Sequence, residues 1–169
     1  IKKPLNAISG KGRTQYGEEL KRVYLTLSTR KGPQTILVTS ARSGEGKTTV
    51  GAWLSIPGCF PAEVMAHTGV DWLCVDMQHG CIDYSDVVPM LTAISTTNVT
   101  PLVRVPWNEP SMIMKVLDAG AYGVIVPMVS NREEAERAVA ACRYPPTGMR
   151  SNGPNRAFMY SGADYQKHS

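Results

Sequence analysis

The sequence predicts an α/β fold in which a parallel sheet is covered by helices. Strand-like and helix-like segments alternate along residues 51–169, and the strands are continuous apolar runs such as Leu73–Val75. Polar residues follow the strands directly, as Asp76, Gln78 and His79 do, and this is where α/β proteins place their chemistry. An open doubly wound sheet and part of a (β/α)8 barrel both fit this pattern.

Four βα units are expected after residue 50. The predicted strands are Ala52–Ile56, Asp71–Asp76, Pro101–Pro106 and Gly123–Pro127. The predicted helices are Ala62–His67, Tyr84–Ser95, Ser111–Leu117 and a fourth that Asn131 caps and that runs to Cys142. The chain from Pro145 onward is expected to form a loop.

The first fifty residues have a different character. Apolar residues at three- and four-residue spacing predict a helix over Thr14–Ser28, and Thr35–Thr39 is predicted to be a short buried strand. Residues 1–50 carry a net charge of +7 and residues 51–169 carry −3, and every Cys, Trp and Met follows residue 50. We therefore predict two segments, 1–50 and 51–169.

Composition argues against several classes of function. The apolar runs are far shorter than the about 18 residues that a membrane helix needs. The basic first segment lacks the interleaved aromatic residues of a nucleic-acid site, so no nucleic-acid partner is predicted. The four cysteines form no CxxC pair, which favours a reduced, cytoplasmic setting.

The stretch ARSGEGKT, which ends at Thr48, fits the pattern of a phosphate-binding loop. Gly44 and Gly46 would let backbone N–H groups face a phosphate, and Lys47 would reach its β and γ oxygens. The hydroxyl of Thr48 would bind Mg²⁺. The motif follows a predicted strand, as such a loop must.

Together with its flanks, this loop resembles the start of the bacterial tyrosine autokinases of polysaccharide biosynthesis. The resemblance covers residues 14–50, and the helix that should follow the loop is replaced by Gly51, Pro57 and Gly58. It implies an alternative function, an ATP-binding P-loop protein of the tyrosine-kinase type that binds ATP with Mg²⁺.

A series of short motifs runs through the second segment. They are Gly51–Leu54, Ala62-Glu63, Gly69–Leu73, Asp76–Gly80, Val103–Pro106, Leu117–Gly120, Val126–Val129, Glu134–Glu136 and Arg143–Arg150. In this order and at this spacing, they resemble the first half of the HpcH/HpaI aldolase family. The resemblance implies a (β/α)8 barrel, here about four βα units, usually assembled into homo-oligomers. It also implies metal-dependent cleavage or formation of carbon–carbon bonds with pyruvate or a related 2-oxo acid.

The same resemblance implies roles for individual residues. His79 matches the family's catalytic histidine, thought to act through a metal-bound water, and Asp118 matches the acidic residue that orients or charges it, across or near a subunit contact. Arg104 matches the arginine that binds the substrate carboxylate or oxo group, although a structural salt bridge is the alternative for a charge in an apolar strand. Asp76 matches a residue that supports this site.

Two further residues complete the expected site. Gln78 stands where many members have glutamate, and both Gln78 and Trp53 are expected to contact substrate. The family's metal ligands, a glutamate and an aspartate of later strands, would follow Ser169, so this chain is expected to supply no ligand to the Mg²⁺, Mn²⁺ or similar ion. The function implied is a class II aldolase that converts 4-hydroxy-2-oxo acids to pyruvate and an aldehyde, with little or no activity in this chain alone.

Overall fold

A computed structural model describes residues 24–27, 49–161 and 165 of the chain. The strands are β1 (Tyr24–Leu27), β2 (Gly51–Leu54), β3 (Trp72–Asp76), β4 (Thr100–Arg104) and β5 (Gly123–Val129). The helices are α1 (Cys59–Ala66), α2 (Tyr84–Ile94), α3 (Pro110–Asp118), α4 (Arg132–Cys142) and α5 (Asn155–Ser161). The strand predicted at residues 35–39 and the loop motif of residues 41–48 lie outside the described residues.

The strands form one parallel sheet in the order β1-β5-β4-β3-β2. Strands β2 to β5 therefore lie side by side in chain order, and each is joined to the next through a helix, as the predicted βα units require. In the register of the sheet Asp76 pairs with Arg104, and Arg104 pairs with Ile125. Paired residues of parallel strands share a face, so these three positions form one row, which lies at the carboxyl ends of β3 and β4.

The hydrophobic core lies between the sheet and its helices. Alternate strand residues, among them Val75, Val103 and Val126, are fully buried. They belong to one cluster with apolar helix residues such as Met90 and Val116. Burial of this kind stabilises the fold by about 25 cal/mol per Å² of apolar surface, and it fixes which face of each strand carries the polar residues.

The structure corrects several predicted elements after residue 50, including the ends of β4 and β5, which lie at Arg104 and Val129 and not at residues 106 and 127. Strand β2 ends at Leu54, not at residue 56, and Ile56 is 70% exposed in the turn that follows. Helix α1 begins at Cys59, because Gly58 adopts a positive φ of 132° that turns the chain into the helix. Helix α5 occupies part of the region predicted to be loop.

Strand β1 contradicts part of the helix predicted over residues 14–28. Tyr24–Leu27 pairs with β5 in parallel, with a register shift between Leu25 and Leu27. Tyr, Leu and Thr are accepted in strands, and the edge of β5 offers backbone hydrogen-bond partners that no local pattern reveals. A contact distant in sequence has overridden the local periodicity.

Candidate active site

A buried ion pair joins the carboxyl ends of β3 and β4. Arg104 donates from Nε to Oδ1 of Asp76 at 2.8 Å and from Nη2 to Oδ2 at 2.6 Å. Asp76 is 3% exposed, and the side chain of Arg104 keeps 19% of its exposure. The pairing follows from the sheet register, which sets the two residues side by side on the same face. The structural salt bridge named as the alternative for Arg104 is therefore present.

Trp53 lies under this ion pair. It pairs with Cys74 in the sheet, one layer below Asp76 on the same face, and the Arg104 guanidinium carbon sits 4.5 Å from the centre of the indole ring. The ring and the carboxylate hold the guanidinium on two sides. Its Nη1 donates to none of the described residues, so this group remains a donor for an added carboxylate or oxo group.

The loop after β3 begins by folding back onto Asp76. The backbone N–H groups of Gln78 and His79 donate to its Oδ1 at 3.0 and 3.3 Å. Burial opposes ionisation of Asp76, but the hydrogen bonds from Arg104, His79 and Gln78 outweigh it and hold the pKa of this carboxyl below its usual value. The side chain of His79 is exposed beside this anion.

The close approach of the loop requires glycine at residue 80. A Cβ atom on Gly80 would lie 2.3 Å from the carbonyl oxygen of Asp76 and 3.1 Å from the Cα of Ser55. Both neighbours are backbone atoms, which cannot move aside cheaply. The glycine therefore lets the chain turn tightly after His79 and return towards β2.

Asp118 lies at the other end of the sheet. It is the last residue of α3, which leads into the amino end of β5, whereas His79 follows the carboxyl end of β3. Its Oδ1 accepts a hydrogen bond from Nη2 of Arg150 at 2.6 Å. Within one chain the structure does not bring Asp118 and His79 together, so their predicted pairing stays a prediction for an assembly of chains.

Arg150 is a buried guanidinium that sequence reasoning left without a role. It is 2% exposed, lies 4.8 Å from the ring centre of Tyr144, and donates to the Tyr165 hydroxyl at 2.9 Å. Burial opposes its charge, but Tyr165 and Asp118 hold its pKa above the usual value. Burial also raises the pKa of Tyr144 to about 12. Arg150 ends the sequence motif Arg143–Arg150, but nothing in that motif indicates that its side chain is buried.

The site also contains a network of hydrogen bonds around Glu134 that the sequence did not indicate. Asn108, which is 7% exposed, donates from Nδ2 to the carbonyl oxygen of Glu134 at 3.0 Å. The carboxylate of Glu134 accepts the N–H of Ser130 at 2.7 Å, and its own N–H donates to the predicted cap, Asn131, at 2.9 Å. The loops after β4 and β5 are thus both tied to the first turn of α4.

The described residues do not fit a metal ion on their own. They contain no group of three or more His, Cys, Asp or Glu side chains placed to hold one. Both carboxylate oxygens of Asp76 are already engaged by Arg104. The described residues place here the guanidinium of Arg104, which can donate to an anion, and the exposed imidazole of His79.

Comparison with known proteins agrees with this arrangement. The family model described as HpcH/HpaI aldolase/citrate lyase matches residues 50–163. The chain belongs to this family. The match begins after the phosphate-loop motif, and the predicted kinase resemblance finds no support in it.

Individual relatives match about two thirds of the chain, as the family model does. A hydroxypyruvate/pyruvate aldolase of Rhizorhabdus wittichii is 46% identical over 121 residues, 72% of this chain and 48% of the relative. A 4-hydroxy-2-oxo-heptane-1,7-dioate aldolase of Salmonella dublin is 42% identical over 108 residues, 64% of this chain and 41% of the relative. The chain therefore spans about half the length of the curated relatives it matches.

Solved structures of the family share the fold. A HpcH/HpaI aldolase/citrate lyase family protein from Burkholderia cenocepacia superposes with a TM-score of 0.65 at 37% identity, covering 70% of this chain and 50% of that protein. The citrate synthase SbnG gives a TM-score of 0.60 at 34% identity, covering 71% and 48%. In the part of the chain that the structure describes, no helix has the length and hydropathy to span a bilayer.

Proposed function

We propose that this chain contributes the 2-oxo acid site of a class II aldolase that cleaves 4-hydroxy-2-oxo acids to pyruvate and an aldehyde. The observation that carries the proposal is the guanidinium of Arg104 at the carboxyl edge of the sheet. Asp76 and Trp53 hold it, and its Nη1 donates to none of the described residues. An arginine fixed in this way suits a planar carboxylate or oxo acid. Family membership and the names of the relatives support the same chemistry.

In this proposal Arg104 binds and orients the oxo acid, and His79 moves the proton. The imidazole takes the proton of the C4 hydroxyl, the C3–C4 bond breaks, and its electron pair passes to C3 as the aldehyde leaves. The same imidazole then returns a proton to C3, which yields pyruvate and balances the reaction. Asp76 holds Arg104 in place and does not react.

A divalent metal, which the family implies, has no complete site among the described residues. Its ligands are proposed to lie outside them, so the chain alone is expected to turn over little or no substrate. Asp118 is proposed to serve His79 of a second copy in a homo-oligomer, because the two residues lie at opposite ends of the sheet within one chain.

The proposal is tested by titration with pyruvate in Mg²⁺ buffer, read from tryptophan fluorescence because Trp53 contacts the anchor. Saturable quenching is expected, and Arg104→Lys should weaken it at least about tenfold, because lysine cannot replace the fork geometry. The exposed Arg132→Lys is the matched control and should change nothing. Pyruvate that fails to bind, or binds equally to Arg104→Lys, contradicts the proposed site.

The role of His79 needs a separate assay. Retro-aldol cleavage of a 4-hydroxy-2-oxo acid with Mg²⁺ or Mn²⁺ is followed by the release of pyruvate. Whatever turnover the chain shows should be lost in His79→Ala. Turnover that His79→Ala leaves unaffected would remove this residue from the mechanism, while leaving Arg104 as the binding residue.

A further inference from the structure

Two large apolar side chains are exposed at the carboxyl edge of the sheet. Trp107 is 59% exposed and Met128 is 51% exposed. Each lies three residues beyond a member of the paired row, Trp107 after Arg104 and Met128 after Ile125. Both residues therefore lie towards the carboxyl edge of the sheet, where Nη1 of Arg104 donates to none of the described residues.

Hydrogen bonds hold the loop that contains Trp107 and the end of β5 that contains Met128. Asn108, the neighbour of Trp107, is buried and bonded to the carbonyl oxygen of Glu134, and the Glu134 carboxylate accepts the N–H of Ser130, two residues after Met128. The N–H of Glu109 also donates to the Trp107 carbonyl oxygen at 2.8 Å. Glu134 thus links the loop after β4 to the end of β5, and the backbone that carries Trp107 and Met128 is arranged before any ligand arrives.

Met128 has an uncommon backbone conformation. Its φ is 58°, in the left-handed region that a side chain other than glycine, asparagine or aspartate rarely adopts. Both strand neighbours of Met128 are buried while Met128 itself is exposed. A strained residue that gains nothing from burial is typical of a functional position.

Among the described residues that flank Trp107 and Met128 in sequence, the charges are negative or paired. Glu109 precedes α3, Glu134 lies in the first turn of α4, and Arg132, at the start of α4, is paired with Glu136 at 2.6 Å. An uncharged carbon chain can pack on the indole and thioether, whereas a second carboxylate would meet these acidic groups.

We propose that Trp107 and Met128 form the surface that binds the substrate's carbon chain beyond the reacting bond, and that they select an uncharged apolar chain over one that ends in a carboxylate. This inference rests on the proposed function, because it assumes that Arg104 anchors the oxo acid end. The inference states which substrate chains that same site prefers, and the family relationship leaves this preference open.

Ligand-observed NMR titration tests the inference without relying on tryptophan emission. The probes are pyruvate, 2-oxohexanoate and 2-oxoadipate, of which the last two have equal chain length and differ in a terminal carboxylate. We expect 2-oxohexanoate to bind about tenfold more tightly than pyruvate, since three added carbons become partly buried. 2-Oxoadipate should bind no more tightly than pyruvate.

Variants assign this preference to the two residues. Trp107→Ala and Met128→Ala should reduce the preference for 2-oxohexanoate to about threefold or less, while the affinity for pyruvate stays within about twofold. Met159→Ala on α5, where Met159 is 74% exposed, is the matched control and should keep the full preference. Met128→Gly relieves the positive φ, so it should raise Tm while the preference falls.

The outcomes separate the two proposals. If none of the three acids binds, the proposed function fails and this inference fails with it. If pyruvate binds normally but 2-oxohexanoate binds no better, or keeps its advantage in Trp107→Ala, the inference is wrong and the proposed function stands. A change in sedimentation mass in Trp107→Ala with an unchanged preference would make this surface a contact between subunits and overturn the inference.

Discussion

Replacing Asp76 with asparagine removes the negative charge that holds Arg104 while keeping the size of the side chain. Asp76 is 3% exposed and accepts four hydrogen bonds, two from Arg104 and two from the backbone N–H groups of Gln78 and His79. Breaking a buried ion pair costs about 3–5 kcal/mol, because it leaves the other charge unpaired. The side chain of Arg104 keeps 19% of its exposure, so we expect the lower end, about 3 kcal/mol.

For a domain of this length about 3 kcal/mol lowers Tm by about 9 °C. Differential scanning calorimetry and urea unfolding of Asp76→Asn measure this loss. Glu136→Gln is the matched control, because Glu136 forms an exposed ion pair with Arg132, and it should shift Tm by about 1 °C at most. A shift in Asp76→Asn as small as that of the control would refute the reasoning.

The pH dependence gives the same prediction an independent test. The folded-state pKa of Asp76 is lowered, so its contribution to stability is fully present above the unfolded value of about 3.9 and is lost as the pH falls through the folded value. The difference in unfolding free energy between the wild type and Asp76→Asn should be constant from about pH 7 to 5 and shrink below about pH 4. A difference that does not change with pH would show that charge is not its origin.

Three further predictions concern the rest of the described chain. Arg150→Met should destabilise the fold by about 3 kcal/mol in urea unfolding, because it removes a buried guanidinium that bonds a carboxylate and a hydroxyl. Gly80→Ala should cost about 2 kcal/mol or more, also in urea unfolding, since its Cβ would lie 2.3 Å from a backbone oxygen. Iodoacetamide at neutral pH should modify exposed Cys81, read by mass spectrometry, and spare Cys74, because burial raises the pKa of the Cys74 thiol.

Each of these has a control in the same chain. Arg143→Met removes an exposed arginine of the same motif and should change stability by less than about 0.5 kcal/mol. Gly69→Ala introduces a Cβ with no atom within 4 Å at a φ of 92°, so it should cost about 1 kcal/mol of backbone strain alone. Denaturant should make Cys74 reactive. Equal effects in variant and control, or alkylation of Cys74 in the folded chain, would contradict the corresponding prediction.

The βα units could be predicted because their signals are local. The apolar run of β3 and the asparagine cap of α4 each appear within a few residues of sequence, and the structure confirms both. Helix α5 was not predicted because contacts distant in sequence hold it. Its Arg156 donates to the carbonyl oxygen of Ala119 at 2.7 Å, 37 residues away. Its stability comes from contacts that only the folded chain creates.

The positions of the site residues could be predicted from the sequence, but their side-chain partners could not. Asp76 and Arg104 could be placed at the ends of neighbouring strands, because parallel strands bring their carboxyl ends to one edge. Their bidentate pairing depends on a register that the sequence does not show. The partner of Asp118 lies 32 residues away. Glu134 links two loops through its carboxylate, which binds Ser130, and through its carbonyl group, which binds Asn108 and which every residue type possesses.

The strand order has a consequence for how the sheet assembles. The pairings among β2, β3, β4 and β5 each close a loop of a single βα unit, whereas Leu25 and Val126, paired between β1 and β5, are about 100 residues apart. Closing the longer loop costs more chain entropy and is slower, so we expect the four sequential strands to form first and β1 to join a sheet that already exists. In a refolding experiment with pulsed hydrogen exchange, the backbone amides of β1 would then be protected last.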